Sequence, residues 1–189
     1  MDQEVEPLVT RVAIPGIRGS YSEEAMIMFL GVGMQSVECA GFEETFASLA
    51  DGAADLAVIP VCNRIGGTIP KTLSLLAKHD FKVLEKNTIR IRHVLAGTRE
   101  ARLAGIVAVR SHAQALKQCG EFLSTRLRVR RLDGMDTASS IRRVVNDGDP
   151  SIAAIGSPRA AKIYGAKILR TNIADKIENW TRFYLIGRH

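Results

Sequence analysis

Apolar positions in this chain fall into two alternating rhythms. The runs 12–15, 37–41 and 56–61 are almost continuously apolar and predict strands, whereas 22–30, 42–50 and 70–78 place apolar residues at helical spacing. This strand-helix alternation predicts an α/β sheet. A long extended stretch follows over 86–97, with Ile89, Ile91 and the run from Val94 to Ala96 as its apolar positions and no helical period. The alternation then restarts: strand 106–109, helix 112–123, strand 129–132, helix 137–145, strand 152–155 and helix 158–164. Asp147-Gly148-Asp149-Pro150 reads as a turn before the strand at 152. The closing run 181–187 reads as a strand that could return to the first half. Two runs of alternation joined by one long strand predict two α/β lobes, with the cleft between them as the natural site.

Composition narrows the class. A length of 189 residues allows one domain or two small lobes, at about 150 residues per domain. With 46% hydrophobic and 24% charged residues the chain can build a core, which excludes disorder as its main state. Charged residues interrupt every apolar stretch before the ~20 residues that span a bilayer, so no membrane partner is expected. The opening MDQEVEPLVT is acidic and lacks a secretory pattern, which points to the cytoplasm. Cys39, Cys62 and Cys119 are an odd, widely spaced set with no C-x-x-C or Cys/His clustering, so neither a disulfide framework nor a zinc site is suggested and no metal is expected. The net charge of +6 is scattered, apart from a short run at 126–131, and only 5% of residues are aromatic. A small anionic substrate or plain solubility explains that charge as well as nucleic acid does, and no nucleic-acid partner is expected.

Four segments could carry chemistry. Gly16-Ile-Arg-Gly19-Ser20-Tyr21-Ser22 lies between the first strand and first helix. Ser20 or Ser22 can cap that helix, and the free N–H groups of its first turn favour an anion, although an ordinary capped turn would look the same. The glycine spacing matches neither a Walker loop nor G-x-G-x-x-G, so nucleotide binding is unsupported. Asn63, Arg64 and Thr68 follow an apolar strand, at the end where open α/β sheets bind ligands. Asn63 offers both donor and acceptor, Thr68 a hydroxyl and Arg64 a fork for a carboxylate, against the plainer reading of a turn former and a solvated side chain. Cys62 beside them would need a base to act as a nucleophile. Ser111 is placed as the N-cap of the 112–123 helix, with Gln118 about two turns along the same face; a cap and a solvent-facing glutamine is the alternative. His112 has the intrinsic pKa for acid-base work. Finally, Thr181 and Arg182 bring a hydroxyl and a fixed charge to the last strand, with Phe183 as its anchor.

Taken in order, the blocks resemble the prephenate dehydratase family, from Ala13 to Gly187. The resemblance runs through Gly19-Ser-Tyr-Ser-Glu-Glu-Ala25, Ala53-Ala-Asp-Leu-Ala-Val-Ile-Pro60, Asn63 with Gly67, Ile91-Arg-His-Val-Leu95, Ser111-His-Ala-Gln-Ala-Leu-Lys-Gln-Cys119, Asp136-Thr-Ala138, Ala153-Ala-Ile-Gly-Ser157, and Asn179 with Thr181-Arg-Phe183. It implies a two-lobed α/β catalytic domain like type 2 periplasmic binding proteins, with lobe 1 over about 1–90 plus 172–189 and lobe 2 over about 91–171. It further implies the conversion of prephenate to phenylpyruvate in phenylalanine biosynthesis, with no cofactor and a homo-oligomeric assembly. Thr181 would donate a hydrogen bond or proton to the departing hydroxyl, while Asn63, Ser111 and Gln118 position the substrate. Ser20, Tyr21, Ser22, Arg64, Thr68, Arg182 and Phe183 are the expected substrate-binding residues, and a cationic cleft is expected to hold the dianion.

Two departures from the family pattern stand out. Cys62-Asn63-Arg64 replaces the common Glu-Asn-Ser, losing a carboxylate and gaining a cation that could bind an extra substrate carboxylate. The chain also stops at Gly187-Arg-His189, so the expectation is a catalytic domain without the phenylalanine-binding ACT domain. The rival readings are arogenate dehydration, a prephenate decarboxylase, and a non-catalytic ligand-binding module. The intact Thr181-Arg182-Phe183 favours dehydration over decarboxylation.

Overall fold

The computed structural model describes residues 9–189, so most of the acidic N-terminal stretch, residues 1–8, lies outside the described residues. Six strands form the first sheet: β1 (Arg11–Pro15), β2 (Gln35–Cys39), β3 (Leu56–Asn63), β4 (Gly67–Thr68), β5 (Lys82–Arg90) and β11 (Trp180–Gly187). The order is β2-β1-β3-β11-β5, with β4 paired to the end of β3. β1 runs parallel to β2 and β3, and β11 lies antiparallel between β3 and β5. The second sheet has the order β10-β6-β9-β7-β8, from β6 (Val94–Gly97), β7 (Ala108–Ser111), β8 (Arg130–Asp133), β9 (Ile152–Gly156) and β10 (Lys167–Arg170). This is the α/β fold that the alternation predicts.

Each sheet is covered on both faces, which is why its central strands read as unbroken apolar runs. Val12, Ile14 and Val58 face helix α1 (Tyr21–Leu30), through Ala25 and Met26. Their neighbours Ala13, Ala57 and Ile59 face α2 (Phe42–Ala50) and α3 (Pro70–Lys78), through Phe46, Leu49 and Leu75. In the second sheet Val109, Ala153 and Ile155 pack on α4 (Ala113–Gln118) and the π-helical turn Phe122–Leu127. Ala96 and Ala154 pack on α5 (Thr137–Asp147) and α6 (Pro158–Tyr164).

Three elements differ from expectation. The 86–97 stretch is two strands, not one: β5 closes the first sheet, residues 91–93 cross over, and β6 enters the second. The expected helix 112–123 is regular only to Gln118 and resumes as far as the π-helical turn Phe122–Leu127, because a second crossover, residues 171–179, docks there. The Asp175 N–H donates to the Gln118 carbonyl, and the Asp175 carboxylate accepts from the Glu121 N–H, which breaks the regular ladder. Strand β10, Lys-Ile-Leu-Arg, is a four-residue edge strand too short to leave a periodic signal.

Candidate active site

The cleft forms where strand ends and helix starts of both lobes converge on a cavity of about 230 Å³. Ser20, Tyr21 and Ser22 bring the start of α1, Phe42 that of α2, Ile69 that of α3, His112 that of α4, and Asp136 with Thr137 that of α5. Ser20 is the α1 cap, its Oγ accepting from the Glu23 N–H at 3.2 Å. Helix starts favour an anion, although first-turn N–H groups of α1, α4 and α5 are partly taken by the caps Ser20, His112 and Asp136.

A buried set of amides forms the floor. Asn63, at the end of β3, has its Oδ1 fixed by the backbone N–H groups of Ile65 at 3.0 Å and Gly66 at 2.8 Å. Its Nδ2 therefore faces Asn179 Oδ1 at 2.7 Å and Thr181 Oγ1 at 2.9 Å, with the Trp180 carbonyl at 3.2 Å. Register puts Thr181 directly opposite Asn63 across the β3-β11 ladder. Because Asn63 donates to the Thr181 oxygen, the Thr181 proton is left for another acceptor, and no described residue takes it. Gln118 Oε1 accepts from Asn179 Nδ2 at 3.0 Å and meets His93 Nε2 at 2.9 Å. The Tyr21 hydroxyl, with one proton to give, lies 3.0 Å from His93 Nδ1 and 2.8 Å from the Arg92 carbonyl. Burial pushes the His93 pKa down, against the opposing effect of its bond to Gln118, and burial pushes the Tyr21 phenol well up, helped by Glu24 and Cys119.

The lobes also meet beside the cavity. Gly19 packs so close to Ala160 that a β-carbon on Gly19 would lie 2.7 Å from the Ala160 Cα. Around that contact Ser157 Oγ donates to the Gly19 carbonyl at 2.6 Å, and Tyr164 donates to the Arg18 carbonyl at 2.7 Å. Buried Glu23 accepts from the Gly19 N–H at 2.8 Å and from Arg159 Nε at 2.7 Å. Burial alone would raise the Glu23 pKa, but Arg159, the Gly19 N–H and Arg18 outweigh it and hold the carboxyl below its usual value.

The structure brings together Thr181, Asn63, Gln118, Ser20, Tyr21, Ser22 and Phe183 around the cavity. Four other expected residues stand apart. Ser111 is fully buried at the end of β7 and its hydroxyl donates to the Ile155 carbonyl at 2.8 Å. Nor does it cap α4: His112 does, with Nδ1 accepting from the Gln114 N–H at 3.2 Å. Arg64 pairs with exposed Glu178 at 3.0 Å, outside the cavity lining, so the gained cation does not extend the site. Thr68 is exposed on β4, paired with Cys62. Arg182 is exposed on β11, alternating with the cleft-facing Thr181 and Phe183. The expected cationic cleft is corrected as well, since no Lys or Arg lines this cavity among the described residues. Arg90, Arg92 and Lys176 instead line an adjoining cavity of about 390 Å³ against the crossovers, which shares Ile91 and His93 with the first. It is larger, yet it lacks the Asn63-Thr181-Gln118 cluster that could do chemistry.

A sequence profile described as prephenate dehydratase matches residues 12–189. The chain belongs to the prephenate dehydratase family. The arogenate dehydratase/prephenate dehydratase 1 of Arabidopsis thaliana is 35% identical over 178 residues, covering 94% of this chain and 45% of that protein. This chain thus spans about half the length of such prephenate dehydratase relatives. A crystal structure of prephenate dehydratase from Arthrobacter aurescens with L-Phe superposes with a TM-score of 0.87 at 25% identity, covering 95% of this chain and 61% of that one. A structure described as GqqA, a novel type of quorum quenching acylase, superposes with a TM-score of 0.84 at 30% identity, covering 95% and 64%.

Two members of the floor escape a residue-by-residue reading. Asn179 precedes β11 and His93 sits in the first crossover, where neither strand nor helix periodicity applies. The signal available for His93 was a lone histidine between apolar neighbours in Ile91-Arg-His-Val-Leu95. Among the described residues no group of His, Cys, Asp or Glu is arranged to hold a metal ion, and no helix is long and apolar enough to cross a membrane.

Proposed function

We propose that this chain is a carbon-oxygen lyase that dehydrates and decarboxylates prephenate, or its amino analogue arogenate, in phenylalanine biosynthesis. The observation that carries this reading is the Asn63-Thr181 pair, which leaves a hydroxyl proton available on the floor of a cavity ringed by helix starts. A prephenate dianion loses its C1 carboxylate as carbon dioxide. The electron pair of that bond enters the ring and expels the C4 hydroxyl as hydroxide, leaving the phenylpyruvate anion. Aromatisation drives the step, so the protein has only to orient the ring and stabilise the departing oxygen. Thr181 donates to that oxygen, Gln118 lies beside it, and the α1 start with its Ser20 cap faces a carboxylate. Phe183 and Ile91 give the ring an apolar wall.

Acyl transfer, the activity in the description of one structural relative, needs a nucleophile hydrogen-bonded to a base. Here His93 engages Tyr21 and Gln118, and His112 engages a backbone N–H; neither meets a Ser, Thr or Cys side chain among the described residues. This favours dehydration. A cytoplasmic, homo-oligomeric enzyme is part of the same proposal. The test is proton NMR of the chain with prephenate and, separately, arogenate. New aromatic signals of phenylpyruvate or phenylalanine support the reading. Non-aromatic decarboxylated product, or no turnover of either compound, contradicts it.

A further inference from the structure

The amide floor fixes the proton positions of a histidine that the proposed reaction does not use directly. The deduction starts from backbone. The Ile65 and Gly66 N–H groups point at one atom of the Asn63 amide, which must be its oxygen. Asn63 therefore turns its NH₂ toward Asn179, 2.7 Å away, so the facing Asn179 atom is oxygen. Asn179 in turn presents its NH₂ to Gln118 at 3.0 Å, and the receiving Gln118 atom is again oxygen. That oxygen lies 2.9 Å from His93 Nε2, which must then carry a hydrogen. The remaining nitrogen, Nδ1, lies 3.0 Å from the Tyr21 hydroxyl, and in the neutral Nε2–H form it accepts that hydroxyl's single proton in place of the Arg92 carbonyl. Reversing any one amide would set oxygen against oxygen or NH₂ against NH₂ in a buried site, each an expensive mismatch.

We infer that His93 is a positioning residue: its Nε2–H, together with Asn179, holds Gln118 so that only N–H groups of that amide are turned toward Asn63 and the cleft. One Gln118 Nε2 contact goes to Asn63 Oδ1 at 3.5 Å, the longest link of the set. Gln118 and Thr181 then present donors to the same space, a floor matched to a departing oxygen and mismatched to an ammonium group. The inference rests on the dehydration reading for its kinetic consequence, but the hydrogen on Nε2 follows from the amide chain alone.

Two measurements test it on the full chain. Nitrogen-15 NMR of labelled protein, with the His93 signals assigned by their loss in His93→Gln, is expected to show a neutral ring protonated at Nε2. A proton on Nδ1 only, or a doubly protonated ring at neutral pH, would overturn the assignment. In kinetics, His93→Leu should cut kcat about tenfold or more with KM changed less than threefold. His93→Gln restores an N–H donor near the Nε2 position and should recover most of the loss, while Tyr21 can turn its proton to the Arg92 carbonyl in both variants. Equal losses in the two variants, or wild-type turnover in folded His93→Leu, would refute the positioning role. If the unmodified chain turns over neither substrate, the functional reading fails by itself, and the NMR result then decides the tautomer.

Discussion

Asn63 Nδ2 and Thr181 Oγ1 stand 2.9 Å apart, opposite each other in the β3-β11 ladder, with the amide as donor. The direction of that bond governs what the hydroxyl can do. In Asn63→Asp the donor becomes an acceptor, and the Thr181 proton turns back to the carboxylate instead of the cleft. Steady-state kinetics should show kcat lowered by roughly 100-fold or more, the scale of losing one donor to a developing oxyanion. Near-normal kcat would mean that this bond does not set the Thr181 proton.

The contact of Gly19 with Ala160 predicts a second outcome. Gly19 has φ +88, and its β-carbon would strike the backbone of α6. Gly19→Ala should lower Tm by about 5 °C or more, since about 1 kcal/mol shifts a chain of this size by about 2–4 °C. Gly31→Ala is the control, with φ +79 but open space around the added carbon. It should lower Tm by less, and equal shifts would show that backbone strain, not lobe contact, dominates at Gly19.

Glu23 makes stability depend on acid. Its folded pKa is below its ordinary value, so its contribution is fully present above about pH 4.3 and is lost as pH falls through the folded value. Glu23→Gln leaves Arg159 without its carboxylate and should cost about 2 kcal/mol at neutral pH. Thermal melts across pH 3 to 7 should show the gap between the two proteins narrowing below about pH 4. A gap that stays constant through the acid range would remove Glu23 from the acid limb.

Much of the architecture is legible in the chain because both sheets are buried on both faces. Val12, Ala13 and Ile14 are apolar whichever helix they meet, and the strand is plain. β5 is an edge strand whose polar residues face water, and β10 is an edge strand of only four residues, so neither left a clear apolar rhythm. The site divides along a similar line. Thr181 and Asn63 are identifiable from their motifs and do face the cleft. Ser111 and Arg64 are in motifs too, but their side chains are turned to the Ile155 carbonyl and to Glu178. Which way a side chain turns at a strand end depends on partners far away in sequence. His93 and Asn179 lie in crossovers, where their meaning comes from Gln118, a partner at the end of α4.

The central claim is that the Thr181 hydroxyl assists departure of the substrate oxygen, and the most direct measurement compares Thr181→Ala, Thr181→Ser and the unmodified chain for turnover of prephenate and arogenate, with binding followed by calorimetry. The predicted result is a loss of kcat of roughly 100-fold or more in Thr181→Ala, substantial recovery in Thr181→Ser, and Kd within a few-fold throughout. Unchanged kcat in Thr181→Ala would contradict the account, as would a loss confined to binding.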